Sequence, residues 1–511
     1  MTKAKIVLAA IVWLVILAIG VGVWKLVIEP KQQRTAKEQK QSQEKASIEK
    51  TQGTSKYTQD ITVGLDSFSG YAIFRSEAFQ TLLAERGSRV RLVDDKANYA
   101  ERASNLENGK LQMALFPADA LIKVAAKQES FPATIVAIVD ETRGADAMVA
   151  YQKKYPNIDS LNKSDTKFVL LADSPSETLA RVVMHDFDLR QLGTNPFSIA
   201  DSPEVLMERY RKATPATAEV FITWEPFVSQ MLVNDQLHVL VDSSRFTGYI
   251  VDCLVVNRDY LLKNQANVEA FLECYFRALH SFREKASMVQ LVLDDAKQTK
   301  LALSKEQALR LVDGIHWKNT QENFAHMGLR SASVIHVEDM LGRITNVLIS
   351  TGAIERDPTN GKFNRLFFDQ PLASLQTRNF HPGLHSEQVR EQAELVALTD
   401  EQWQTLVPVG TLSIPELVFA RGSAMLTEQS RSVLDELAEK LKSWPQYYLR
   451  IQGSASNLGD PEANRALAAK RATTSVEYLL SLGMPRERMR SVEGGPSGET
   501  RVTFQVGQLP Y

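Results

Sequence analysis

The stretch Asn105–Leu121, NLENGKLQMALFPADAL, decides the fold class. A helical pattern over Tyr99–Asn108 closes just before it ends. LQMALFPAD (Leu111–Asp119) then reads as a short apolar strand, and Pro117-Ala118-Asp119 opens a new helix. Helix, buried strand and helix in immediate succession are the unit of an α/β protein.

The same alternation extends both ways. On the amino side, ITVGLDSF (Ile61–Phe68) reads as a strand, Ser69–Gly87 as a helix and RVRLVDD (Arg89–Asp95) as a strand. On the carboxyl side, ATIVAIVDE (Ala133–Glu141), AMVAYQ (Ala147–Gln152) and KFVLLADS (Lys167–Ser174) precede a helix around Ser176–Asp186. AEVFITWEP (Ala218–Pro226), HVLVDSS (His238–Ser244) and IVDCLVVN (Ile250–Asn257) follow, and Asn267–Thr351 reads mainly as helix. Ala373–Gly410 is irregular and charged. Beyond it come a strand at Ile414–Ala420, a helix at Leu426–Trp444, a strand at Tyr447–Ala455, a helix at Pro461–Gly483 and a strand at Arg501–Val506. That is a small β-α-β-α-β domain.

The amino terminus differs in kind. Ile6–Trp24 is 19 residues without a charge, and Leu26-Val27-Ile28 extend it to bilayer length at ~1.5 Å per residue. Lys3 and Lys5 precede it, which predicts a cytoplasmic amino terminus. The run is longer than a signal-peptide core, and Glu29-Pro30-Lys31 follows it without a small-residue cleavage pattern. It holds no carboxylate, which argues against an ion-conducting stator subunit. From Glu29 to about Tyr57 the chain is almost wholly polar and predicts a solvated tether.

Composition excludes several functions. Lys plus Arg number 59 against 61 Asp plus Glu, so no basic excess favours nucleic acid. Two cysteines cannot build a disulfide-rich scaffold or a four-thiolate zinc site. Cys253 and Cys274 sit in apolar patterns and read as core thiols, with a disulfide left open as the alternative. No HExxH, P-loop or Gly-x-Ser-x-Gly motif stands out, which predicts a binding protein without cofactor or metal rather than an enzyme.

In open α/β sheets ligands sit beyond the carboxyl ends of the strands. Here those ends carry Ser69-Gly70-Tyr71, Pro117 and the Ser174-Pro175-Ser176-Glu177 capping box. Free helix N–H groups suit an anion, while for any single junction plain helix capping is the competing account.

At these residues the chain resembles the periplasmic binding proteins for nitrate, taurine and alkanesulfonates of ABC transporters. The matching stretches are SGYA, NLENGKLQMALFPADAL, ETRGADAMVAY, DSPSETLARVVMHDFDL, FITWEPFVSQML, VDCLVVNRDYL, VEAFLECYFRALHSF, GIHWKNTQENFAHMG and ITNVLISTGAIERDPTNGK, spanning about Asp60–Leu375. The resemblance implies two α/β lobes, a ligand cleft and hinge closure. By position it nominates Ser69, Gly70, Tyr71, Pro117, Arg143, Ser174, Ser176, Trp224 and Glu225 as ligand-binding residues. Arg143 is the cation for an anionic ligand, with surface solvation as its alternative; Trp224-Glu225-Pro226 is equally readable as hinge packing. Where the family has Gly-Gly-Asp, this chain has Gly144-Ala145-Asp146.

Val418 to about Gly495 resembles the OmpA-like peptidoglycan-binding domain, through VFARGSAMLTEQSRSVLDELAEKL and IQGSASNLGDPEANRALAAKRATTSVEYLLSLGM. In that family an Asp grips the amino group of the stem peptide and an Arg its carboxylate. Arg471 falls at the arginine position, Asn464 at the helix-start asparagine and Ser456 at the Asp position. A serine hydroxyl supplies no countercharge, and Asp460 is displaced by four residues.

The expected organisation is a transmembrane anchor (1–28), a polar tether (29–58), an α/β two-lobed substrate-binding-protein-like domain (59–375), a linker (376–410) and an α+β OmpA-like domain (411–511). The expected protein is a single-pass inner-membrane adaptor with its bulk in the periplasm. It would bind a small sulfonate-, nitrate- or phosphate-like anion, peptidoglycan and an inner-membrane protein partner. A structural envelope bridge with a vestigial cleft, and an ABC-transporter binding component, stand as alternatives.

Overall fold

The computed structural model describes residues 57–511 apart from 129–130, 333, 390–394, 456–458, 497–500 and 510–511. The anchor reading (1–28), nearly all of the tether reading (29–58) and Ser456 lie outside the described residues. Among the described residues no helix is long and apolar enough to cross a membrane. Apart from Gln59, everything below belongs to the unit Asp60–Tyr511.

The first lobe contains β1 (Gln59–Leu65), β2 (Ser88–Asp94), β3 (Met113–Pro117), β4 (Ala133–Thr142), β10 (Val251–Asn257) and β11 (Ile315–Trp317), in the sheet order β11-β4-β10-β3-β1-β2. β3 and β4 are buried along their whole length, which is why they read as unbroken apolar runs. The second lobe contains β5 (Asp146–Tyr151), β6 (Lys167–Leu170), β7 (Phe197–Ile199), β8 (Glu219–Trp224) and β9 (Leu237–Asp242), in the order β7-β6-β8-β5-β9. The chain crosses between lobes twice, from β4 to β5 and from β9 back to β10. β1 and β3 run parallel, as do β6 and β8, so the strand ends carrying the predicted junctions converge at these crossings.

The carboxyl-terminal sheet contains β12 (Val407–Thr411), β13 (Tyr448–Ala455), β14 (Met489–Pro496) and β15 (Val502–Gln508), in the order β12-β15-β13-β14. Helices Glu428–Lys442 and Pro461–Ser481 pack with it. The strand expected at Ile414–Ala420 forms only a single bridge, Phe419 with Leu426. The edge position is taken instead by β12, from the stretch read as linker. Pro408 is tolerated there because an edge strand has one side free of ladder bonds. β14 is an added strand, so the domain reads β-α-β-α-β-β.

The two-lobed and carboxyl-terminal domains share one buried apolar cluster. At their junction Trp444 is fully buried, edge-on to Phe187 at 5.4 Å and to Phe246 at 5.3 Å. β12 is pinned from both sides: Thr411 N–H donates to Asp159 Oδ1 at 2.7 Å, while Leu412 N–H donates to Phe504 O at 2.8 Å. Burying an aromatic side chain contributes about 1.5–3 kcal/mol, so this junction is a packed core. Cys253 and Cys274 are both buried and free.

Candidate functional site

The Ser69-Gly70-Tyr71 turn follows β1 and is buried. The Tyr71 hydroxyl donates to Asp252 Oδ1 at 2.5 Å, and the Gly70 carbonyl accepts from Trp317 Nε1 at 2.8 Å. A Cβ on Gly70 would lie 2.6 Å from Asp140 Oδ2, so the turn requires glycine. Pro117 ends β3 opposite Asp252, which in turn faces Asp140 on β4. Three of the predicted positions therefore meet over a pair of buried carboxylates.

Those carboxylates carry no signal in periodicity, because each interrupts an apolar strand. That interruption, in ATIVAIVDE and IVDCLVVN, was the available clue. Burial raises the pKa of both Asp140 and Asp252, and the charge of Asp252 raises Asp140 further. Asp146, at the start of β5, is pushed up to about 8 by burial and then by the charge of Asp252.

Across the crossing, Ser174 caps helix Pro175–Asp186. Its hydroxyl oxygen accepts from Glu177 N–H at 3.4 Å, with Pro175 in the first turn as expected. Glu177 does not close the capping box. Its Oε2 accepts from Asp173 N–H at 2.7 Å and lies 3.3 Å from Lys123 Nζ of the first lobe. Lys123 also lies 3.3 Å from Asp119. Ser176 is fully buried and its hydroxyl has no partner among the described residues. Helix Val337–Ser350 packs against helices of both lobes, Ala118–Ala126 and Pro175–Asp186. Trp224 is half-buried, edge-on to Phe227. Glu225 precedes a cis peptide to Pro226 and accepts from the Ser229 hydroxyl at 2.7 Å, so its carboxylate caps the next short helix.

Arg143 stands apart from this group, on the first crossing. Its Nη2 donates to Glu141 Oε2 at 2.8 Å, and Lys318 Nζ donates to the same oxygen at 2.6 Å. Burial alone would raise the Glu141 pKa; the charges of Lys318 and Arg143 outweigh it and hold the group well below the carboxylate range. Arg143 and Lys318 line a cavity of about 400 Å³.

In the carboxyl-terminal domain, Asp460 caps helix Pro461–Ser481, accepting from Glu462 N–H at 2.9 Å. Asn464 and Arg471 are seven residues apart on this helix, hence on one face about 10 Å apart. Arg471 Nε donates to Ser423 O at 3.0 Å, and the guanidinium stacks over Phe419 at 4.8 Å. Its two terminal nitrogens have no hydrogen-bond partner among the described residues.

Residues 418–503 match the model of the OmpA family. The peptidoglycan-associated lipoprotein of Rhizobium meliloti (strain 1021) is 35% identical over 90 residues, which is 18% of this chain and 51% of that protein. The chain thus spans about half the length of the curated relatives it matches. Among solved structures, the periplasmic sulfonate-binding protein SsuA from Methylobacillus flagellatus KT aligns over 66% of this chain and 100% of its own, at 11% identity and a TM-score of 0.48. The periplasmic nitrate-binding protein NrtA from Synechocystis PCC 6803 aligns over 62% and 88%, at 12% identity and a TM-score of 0.46. The chain therefore carries an OmpA-family domain at residues 418–503, packed against a two-lobed α/β unit.

Proposed function

We propose that this protein is an envelope adaptor that contacts peptidoglycan through its OmpA-family domain and holds its two-lobed domain fixed against that contact. The carrying observation is Arg471, braced by Ser423 and Phe419 with its terminal nitrogens unengaged among the described residues. A guanidinium fork held this way suits a carboxylate of the wall peptide. In this reading the apolar run 1–28 anchors the chain in the inner membrane, the tether spans 29–58 and the bulk is periplasmic. An inner-membrane protein is the partner that would read the two-lobed domain.

The test is co-sedimentation of the full chain with purified sacculi. Arg471→Ala should reduce binding about tenfold or more, the worth of one charge-assisted bond. Ser456→Asp should strengthen it by adding the absent countercharge. Sacculus binding unchanged in Arg471→Ala, with an unaltered melting temperature, would overturn the assignment.

Between the lobes, one observation favours the bridge with a vestigial cleft over delivery of a small anion. The cations there are already engaged, Lys123 by Asp119 and Glu177 and Arg181 by Glu177 and the Thr351 carbonyl, and Tyr71 and Pro117 sit over carboxylates. A sulfonate-, nitrate- or phosphate-like anion would have to rely on the helix N–H groups and the Ser176 hydroxyl. Thermal shift with taurine, nitrate and phosphate separates the two readings. A saturable rise abolished by Ser176→Val would establish the anion; silence with all three would leave the bridge.

A further inference from the structure

The cavity of about 400 Å³ beside Arg143 is open to solvent on one side and lined by three parts of the molecule. Arg143 and Thr247-Gly248 come from the two lobe crossings, Asp339, Met340 and Arg343 from helix Val337–Ser350, and Glu439 and Lys442 from the OmpA-family domain; Lys318, Glu141 and Glu322 complete the charged lining, with Glu141 held by Lys318 and Arg143 and Glu322 by His316. Its polar groups are unevenly satisfied. His326 lines it and is 4% exposed. Its Nδ1 lies 2.7 Å from the Ile335 carbonyl, which can only accept, so Nδ1 carries the proton and Nε2 is a bare acceptor. Among the described residues that Nε2 is buried without a partner, as is the Thr247 hydroxyl. Burial holds the His326 pKa down at about 4, with the charge of Lys318 acting in the same sense, so the ring stays neutral at physiological pH.

The cations of this cavity are not all spent. Arg143 commits Nε and Nη2 to Glu141 and keeps Nη1. Arg343 donates Nη1 to the Ser443 hydroxyl and has its Nη2 3.8 Å from Glu439. Two guanidinium groups, one from a crossing and one from the bridging helix, thus face the same space as an imidazole acceptor lacking a donor. A buried acceptor left unpaired costs about 1–3 kcal/mol, and a ligand donor would remove that cost.

We propose that this cavity is a binding site for a small hydroxy- or amino-carboxylate. Its carboxylate lies between Arg143 and Arg343, and its O–H or N–H donates to His326 Nε2. The site draws on residues of both crossings, the bridging helix and the OmpA-family domain, so its occupant holds these parts in one arrangement. It shares no residue with the peptidoglycan contact at Arg471 and stands independently of it.

The test is titration calorimetry on the full chain with L-lactate, L-serine, acetate and methylammonium. L-Lactate or L-serine should bind one to one; acetate should bind about tenfold more weakly for want of the donor, and methylammonium not at all. Arg143→Gln and His326→Leu should each weaken binding about tenfold or more. Arg143 is partly exposed, so its variant guards against a loss that merely reports misfolding of His326→Leu. Sacculus binding should be unchanged in Arg143→Gln, which separates failure here from failure of the wall contact. The proposal is overturned if neither L-lactate nor L-serine binds at millimolar concentration, leaving the cavity to water alone. It is equally overturned if Arg143→Gln binds as the wild type does.

Discussion

The indole N–H of Trp444 donates a 2.7 Å hydrogen bond to Asp186 Oδ2, joining the OmpA-family domain to the second lobe across 258 residues of sequence. Asp186 is fully buried, lies 2.7 Å from His185 Nδ1 and is 3.2 Å from Lys440 Nζ. Removing the carboxylate strands an indole donor and leaves Lys440 without it. Asp186→Ala is expected to cost about 3 kcal/mol or more and Trp444→Phe about 1.5–3 kcal/mol, measured by denaturant unfolding. Burial raises the Asp186 pKa, but His185, Lys440 and Trp444 outweigh it and hold it below the usual range. The resulting stabilisation is present above the unfolded carboxylate pKa and lost as pH falls through the lower folded one. Asp186→Asn should therefore flatten the acid limb of the stability profile.

Asp146 titrates in the opposite sense. Its folded pKa of about 8 lies above the unfolded value, so the folded state holds a proton that the unfolded state has already released. Stability from this group is full below about pH 4 and declines up to pH 8, at on the order of 1.4 kcal/mol per pH unit at most. Asp146→Asn should raise the melting temperature at pH 8.5 and leave it nearly unchanged at pH 4. Equal effects at both values would show that Asp146 does not titrate in this window.

Lys123 holds the lobes together through charge. It is 6% exposed and serves Asp119 on its own helix and Glu177 on the facing one. Glu177 keeps Arg181 as a second partner, at 2.6 Å, whereas Asp119 Oδ2 has no hydrogen bond. Lys123→Met should thus cost about 3 kcal/mol by leaving Asp119 buried and uncompensated. Lys123→Met combined with Asp119→Leu should recover most of that loss while hydrogen exchange in both helices stays elevated. A double variant no more stable than the single would place the cost elsewhere.

Gly453 lies in β13 where helix Pro461–Ser481 presses closest. A Cβ there would sit 2.1 Å from the Ala468 carbonyl oxygen, so helix and sheet must part. Gly453→Ala is expected to destabilise the OmpA-family domain by about 2–3 kcal/mol, in the overpacking range, read as an earlier denaturant midpoint. Full stability in this variant would show that the helix can slide.

What the sequence made legible followed from local chemistry. Alternating apolar runs and capped helices gave two α/β lobes, and Ser174-Pro175 opens its helix where the pattern placed it. The misses came from distant pairing. Val407–Thr411 looked irregular because Pro408 breaks a strand pattern, and only the far partner Val502–Gln508 makes it an edge. Asp186 reads as an ordinary helix residue, and Phe187 and Phe246 fall outside every predicted element; only Trp444 gives the three a common role. Among the nominated ligand residues, Gly70, Tyr71 and Pro117 gather around Asp140 and Asp252, while Arg143 lies apart from them, beside the cavity at the lobe crossings. Spacing along the chain orders strand ends but does not say which carboxylates wait beneath them.

The family match begins at Val418, yet the sheet it describes is completed by residues 407–411. A protein fragment cut at the start of that match would bare the N–H and C=O groups on one side of Val502–Gln508, and would strip Trp444 of the Phe187 and Phe246 rings that now cover it. A naked strand border of this sort recruits other chains. The border of the recognisable domain and the border of the cooperative folding unit are thus different places, and aggregation is the foreseeable outcome of confusing them.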